Sequence, residues 1–239
     1  SEKIQLINKL SSSQYKENFI IGTGLNSLTD TINLMKISIS MNFKTFLIMP
    51  PAYYKYGDED VINFYSKIIN EINDCKIILY NFEKLSGYKF SVEAVTKLAK
   101  AFPDNIIGCK DSSYNLFENL KIPNFLIFPG SETKLLKGLE LGNSGVISAI
   151  CNVTAPLARK VFNDFEKKET QTQNDKLISV REVFDKYNLI SALHSYMSTK
   201  DENFKNLLPP LVLLKSKETE DLINKLNNLK FAIKNNLAA

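Results

Sequence analysis

Through the first half of the chain, apolar runs of a few residues alternate with stretches whose apolar positions recur three and four apart. The runs at 19–22, 45–49, 76–80, 106–109, 124–128 and 145–150 are β-branched or aromatic and lack two-residue alternation. That is the pattern of strands buried on both faces. The stretches 28–41, 60–73, 92–101 and 133–141 have helical spacing. This order predicts βα units and a parallel sheet. A closed parallel barrel takes eight strands, whereas a doubly wound open sheet stops at five or six, so the pattern alone leaves both arrangements open.

From about Val153 the pattern is helical only, with predicted helices over 155–168, 176–196 and 219–235 and a polar stretch over 169–175. Leu208-Pro209-Pro210-Leu211 interrupts it, because proline ends a helix and disfavours it one residue earlier. The chain thus reads as βα units over 1–152 followed by helices over 153–239. No apolar run reaches the roughly 18 residues of a membrane span, and no signal segment opens the chain. A soluble, cytoplasmic protein with no membrane partner is expected.

Charge and composition exclude several classes of function. A net charge of +4 is small beside 30 Lys+Arg and 26 Asp+Glu, and no block of like charge concentrates it, so nucleic acid is not an expected partner. The three cysteines, Cys75, Cys109 and Cys151, are far apart and His194 is the only histidine, so neither a disulfide framework nor a metal site is expected. His194 lies inside a helical pattern and reads as structural. Catalysis would have to draw on Lys, Tyr, Ser/Thr or carboxylates.

Gly22-Thr23-Gly24-Leu25-Asn26-Ser27 follows a strand and opens a helix, the setting of a phosphate-cradling turn. Ser27 replaces the third glycine, and the next strand runs into Met49-Pro50-Pro51, where a dinucleotide site would place an acid. A tight βα turn is the plainer reading. Lys110 ends the run Ile106-Ile107-Gly108-Cys109. A lysine there is costly unless paired, neutral or functional, since burial disfavours the ammonium. One reading is a Schiff-base amine that attacks a ketone, with open space beside it at Gly108. The other is a lysine that snorkels to solvent and pairs with Asp111. Tyr80 ends the preceding strand, where its phenol is either an acid/base beside Lys110 or a rim aromatic. Pro50-Pro51-Ala52-Tyr53-Tyr54 closes another strand with two further phenols.

Taken in order, these pieces resemble the family of dihydrodipicolinate synthase and N-acetylneuraminate lyase, the pyruvate-type class I aldolases. The resemblance runs from Gly22-Thr23-Gly24-x-Asn26-Ser27 through Pro51-Ala52-Tyr53-Tyr54, Tyr80-Asn81 with Ser86-Gly87, and Gly108-Cys109-Lys110-Asp111-Ser112. It continues in Pro129-Gly130-Ser131-Glu132 and in Gly145-Val146-Ile147-Ser148 with Asn152, so it covers essentially the whole chain.

The resemblance implies an α/β fold, a TIM (β/α)8 barrel with a C-terminal helical extension. On this reading the six runs are strands three to eight, and the first two βα units are missing. Residues 1–6 then look like the helix that follows the family's Gly-Thr-Thr-Gly-Glu loop, which holds the relay threonine. The resemblance also implies a lyase that needs no cofactor beyond the imine of its substrate with Lys110. Tyr80 matches the proton-relaying tyrosine, and Tyr53 the one that reaches a neighbouring subunit in a homotetramer built from dimers. Ile147 matches a carbonyl near the keto acid, and Gly130 a backbone position lining the pocket.

Leu85 stands where the synthase branch carries an arginine that grips the carboxylate of aspartate semialdehyde; losing that bidentate fork is not neutral. With Ser131 and Glu132 available to a polyol chain, the expected activity is a pyruvate-dependent aldolase or lyase acting on keto-sugar acids. The alternatives are the dihydrodipicolinate synthase of lysine biosynthesis, a non-catalytic keto-acid sensor, and a nucleotide-binding oxidoreductase built on the Gly22-Thr23-Gly24 turn.

Overall fold

The computed structural model describes residues 1–233 of the chain. Two compact units divide it, Ser1–Gly130 and the residues from Ser131 onward. The division falls earlier than the change of element type near Val153.

In the first unit the elements are α1 (Glu2–Leu10), β1 (Ile21–Gly22), α2 (Leu28–Ser40), β2 (Thr45–Ile48), α3 (Asp58–Glu71), β3 (Lys76–Asn81), α4 (Glu83–Ser86), α5 (Val92–Ala101), β4 (Ile106–Asp111) and β5 (Leu126–Pro129). The five strands pair in parallel in the order of the sequence. Each strand therefore lies beside the next with a helical crossover between most of them, the sequential order of a (β/α)8 barrel. A doubly wound sheet would reverse order at a switch point, and β1 to β5 contain none. The apolar runs explain the ladder. Ile77, Ile78, Leu79, Ile106 and Cys109 are all buried, and they join Phe46, Ile48, Tyr65, Leu98 and Phe117 in the core.

Local signals set the helix boundaries. Ser27 caps α2 by accepting from Asp30 N (3.2 Å), and Ser91 caps α5 by accepting from Ala94 N (2.9 Å). Each cap satisfies a main-chain donor that the first turn leaves unpaired. Tyr65 of α3 donates to the Ile48 carbonyl (2.8 Å) and ties that helix to β2.

The second unit holds α6 (Leu135–Glu140), α7 (Cys151–Glu166), α8 (Asn174–Phe184), α9 (Leu189–Met197) and α10 (Ser216–Asn228). Its interior is helical, with Ile150, Val180, Phe184, Ala192, Leu222 and Leu226 in one cluster and Leu135, Val161 and Leu177 in another. Three expectations change here. The expected long helix over 176–196 is two helices, because Asn188 has ψ 117° and its side chain accepts from Ser191 N (3.1 Å), which starts α9 afresh. The helix expected from 155 begins at Cys151, so Pro156 lies inside α7. The expected strand over 145–150 has no ladder: residues 143–148 form no regular element, and 149–150 already turn into α7. A strand needs a partner as well as a suitable composition, and none pairs with this run among the described residues. The last residues of the helix expected over 219–235, Lys234 and Asn235, lie outside the described residues.

No helix among the described residues is long and apolar enough to cross a membrane. All three cysteines are free thiols. Burial pushes Cys75 up to about 11, partly offset by Asn105. Burial and then the Glu132 carboxylate push Cys151 up to about 12. Burial and then Asp111 also raise Cys109. A raised thiol holds little reactive thiolate near neutral pH. Iodoacetamide at about pH 8 is therefore expected to leave the folded chain unlabelled and to modify all three thiols after denaturation, read by intact mass. Rapid labelling of any one in the folded chain would contradict this.

Candidate active site

Tyr80 and Lys110 are brought together at the C-terminal ends of adjacent strands. They are register partners in the β3 and β4 ladder, and Lys110 also faces Phe128 of β5. The Lys110 Nζ stands 4.0 Å from the centroid of the Tyr80 ring. Both side chains are half-buried, so the pair is reachable from solvent. A cation over an aromatic face contributes about 0.5–2 kcal/mol, enough to bias the rotamer of a flexible lysine.

The pairing of Lys110 with Asp111 that the sequence left open is not what the structure shows. The Asp111 carboxylate is buried and accepts from Asn81 Nδ2 and from the main-chain N–H groups of Ser113, Tyr114, Leu116 and Phe117, at 2.8 to 3.2 Å. The open space expected beside Gly108 is also filled. A Cβ there would come within 2.5 Å of the Leu126 carbonyl oxygen, so the glycine lets β5 approach β4 closely. Gly130 does the same at the strand end. Its N–H donates to the Asp111 carbonyl (2.8 Å), and a Cβ would lie 2.1 Å from Ser112 Oγ and 3.0 Å from Ser112 Cα.

Tyr53 lies in the loop after β2 and is 90% exposed, with Tyr54 at 68% and their rings in edge contact at 5.0 Å. Its φ of 92° is in the left-handed region, which costs a non-glycine residue roughly 1–3 kcal/mol and persists only when its surroundings enforce it. Asn26 Oδ1, accepting from Ala52 N (2.9 Å), is one such restraint. Leu85 projects from α4 at 56% exposure. That short helix is held at its start by Glu83 N donating to Ser113 Oγ (2.9 Å) and ends at Gly87 with φ 75°. In the glycine turn, the Lys3 ammonium donates to the Thr23 and Gly24 carbonyls, the latter at 3.1 Å. This turn presents main-chain oxygens to a cation.

In the second unit, Ser131 precedes a short 3-10 turn, Glu132–Lys134, and accepts from Thr133 N (3.4 Å). Glu132 is fully buried with both oxygens engaged. Oε2 accepts from Ser148 Oγ (2.7 Å) and Arg181 Nη1 (2.9 Å), while Oε1 accepts from Thr154 Oγ1 (3.2 Å) and Cys151 Sγ (3.3 Å). Arg181 also donates to Ser148 Oγ (3.0 Å) and to Asp185 (2.8 Å). Burial works against the Arg181 guanidinium, but Glu132 and Asp185 outweigh it and hold its charge more firmly than usual. Ile147 is half-buried in the segment next to the clamped Ser148. His194 Nδ1 donates to the Phe204 carbonyl (2.9 Å), a structural bond.

Sequence reasoning missed Arg181 and misread Asp111. Arg181 interrupts the buried face of α8 formed by Leu177, Val180 and Phe184, and a charge on an apolar helical stripe is itself a signal for a buried partner. Asp111 precedes Ser112-Ser113-Tyr114-Asn115, a turn-forming composition in which an aspartate caps following N–H groups. Among the described residues, no group of three or more His, Cys, Asp or Glu could hold a metal ion.

The sequence model of the dihydrodipicolinate synthetase family matches residues 1–229. A 4-hydroxy-tetrahydrodipicolinate synthase of Methanococcoides burtonii is 27% identical over 220 residues, covering 88% of this chain and 74% of that protein. A 2-dehydro-3-deoxy-D-gluconate/2-dehydro-3-deoxy-phosphogluconate aldolase of Picrophilus torridus is 26% identical over 203 residues, covering 82% and 75%. Among solved structures, YagE, a prophage protein of the dihydrodipicolinic acid synthase family from E. coli K12 in complex with pyruvate, has a TM-score of 0.86 at 20% identity. That alignment covers 97% of this chain and 82% of that one. The parallel βα fold thus has its likeness among synthases and aldolases, and the chain belongs to the dihydrodipicolinate synthetase family.

Proposed function

We propose that the chain is a Schiff-base class I aldolase that joins pyruvate to an aldehyde, or cleaves the corresponding 2-keto acid. The observation that carries this reading is the Lys110 amine placed 4.0 Å from the centre of the Tyr80 ring at two adjacent strand ends. In the synthetic direction, Nζ attacks the keto carbon of pyruvate, and loss of water from the carbinolamine gives a protonated imine. Loss of a proton from the methyl carbon gives an enamine. That carbon then bonds to the aldehyde carbon, whose oxygen takes up a proton, and water releases the product from Lys110. Tyr80 is the group placed to relay these protons. Gly130 and Ile147 are the backbone positions assigned to the keto acid. Tyr53, exposed and held in a strained backbone, is assigned to a second copy of the chain in a homotetramer.

Leu85 directs the choice of partner. An exposed leucine where a synthase carries its carboxylate-gripping arginine favours an aldehyde without that carboxylate, as in keto-sugar-acid cleavage. Ser131 remains the candidate contact for a hydroxyl of such a chain, whereas Glu132 has its oxygens taken by protein donors. The test compares kcat/KM for pyruvate release from 2-keto-3-deoxy sugar acids with that for condensation of pyruvate with aspartate semialdehyde. Cleavage is expected to be favoured by at least about tenfold, since a missing charge-assisted contact costs more than 1.4 kcal/mol. A preference for aspartate semialdehyde would overturn the substrate reading.

A further inference from the structure

The ladder that carries Tyr80 and Lys110 contains an irregularity. Ile77 pairs with Ile106, but Ile78 pairs with Gly108, so Ile107 is an extra residue in β4. Beyond that bulge a slip of one residue would put Cys109 or Asp111 opposite Tyr80 in place of Lys110. One residue beyond the reactive pair, Asn81 faces Asp111, and both are fully buried. Strand alternation puts this second pair on the opposite face of the sheet.

The two side chains bond directly, Asn81 Nδ2 donating to Asp111 Oδ1 at 2.8 Å. Asn81 Nδ2 also donates to Asn115 Oδ1 (2.8 Å), Asn81 Oδ1 accepts from Phe90 N (3.1 Å), and Asn115 Nδ2 returns to the Phe90 carbonyl (2.8 Å). On the other side, four main-chain N–H groups of the loop after β4 close around the Asp111 carboxylate. Tyr114 in that loop is held at φ 58°. Every polar atom of the Asn81 side chain is used, so the bond cannot shift by a residue without leaving buried donors and acceptors unpaired.

We infer that Asn81 and Asp111 are positioning residues for the Lys110 and Tyr80 pair: their buried bond fixes the register of β3 against β4 beyond the bulge and so holds the amine over the phenol ring. The inference rests on the imine-forming role proposed for Lys110. The test uses the full chain and counts competent sites by trapping the pyruvate adduct with borohydride, then expresses kcat per trapped site. Asn81→Ala is expected to keep its trapped fraction while kcat per trapped site falls by at least about tenfold, because small misplacements of reacting groups cost one to two orders of magnitude. Tyr80→Phe is expected to cost much less in the Asn81→Ala background than in wild type, since the relay geometry is already lost. Asn81→Ser provides the same comparison should the alanine variant fail to fold. Tyr65→Phe, which loses a buried bond elsewhere in the first unit, is expected to leave kcat per trapped site unchanged. Unchanged kcat per trapped site in the Asn81 variants, or an equal Tyr80→Phe cost in both backgrounds, would overturn the inference. Absence of any adduct on wild-type Lys110 would overturn the imine reading and the inference with it.

Discussion

Lys110→Ala is expected to reduce turnover by at least about 10⁴-fold while leaving the chain folded, because it removes the nucleophile on which each covalent step depends. The fold should survive. Lys110 is half-buried and its ammonium rests over the Tyr80 ring, a contact contributing about 0.5–2 kcal/mol. Lys110→Arg keeps the charge over that ring yet is expected to be equally inactive, since a guanidinium stays protonated and cannot attack a carbonyl. Tyr80→Phe separates the roles further. It keeps the ring face, so imine formation should persist, and it removes the hydroxyl, for a loss of roughly 10²-fold or more in turnover. Circular dichroism on each variant distinguishes lost chemistry from lost structure. Activity within tenfold of wild type in a folded Lys110→Ala chain would remove the basis of the reaction described above.

Arg181→Met is expected to destabilise the chain by about 3–5 kcal/mol, because it leaves the Glu132 carboxylate buried without its counter-charge. Ser148, Thr154 and Cys151 would still donate to that carboxylate, but none carries a positive charge. For a chain of this length, such a loss lowers the thermal midpoint by at least about 6 °C. The double variant Glu132→Met with Arg181→Met is expected to recover much of that loss, since a buried ion pair replaced on both sides by apolar groups of similar volume is often neutral. A single Arg181→Met variant as stable as wild type would mean that the buried bridge contributes nothing.

Much of the fold is legible in the sequence because its cause is local. Ile77 to Leu79 and Ile106 to Cys109 read as buried strands from their own composition, and the helices over 28–41 and 92–101 read from apolar positions three and four apart. The features that were not legible depend on distant residues. Residues 145–150 have strand composition, but pairing is decided elsewhere in the chain, and this segment is instead tied through Ser148 to Glu132 and Arg181. Gly108 read as open space because alternation says nothing of how closely β5 approaches. The site divides along the same line. Lys110 and Tyr80 are identifiable as strand-end residues, and their meeting follows from sequential parallel pairing. The commitment of Asp111 to the loop behind it has a local signal in the turn-forming residues that follow, but its bond to Asn81, thirty residues away, has none.

The most direct test of the imine at Lys110 is the intact mass of the purified chain before and after incubation with pyruvate and sodium borohydride, with peptide mapping of any adduct. One reduced pyruvate adduct per chain is expected, located on Lys110 and absent from Lys110→Ala. An unmodified mass in a folded chain, or an adduct on another lysine that persists in Lys110→Ala, would contradict it.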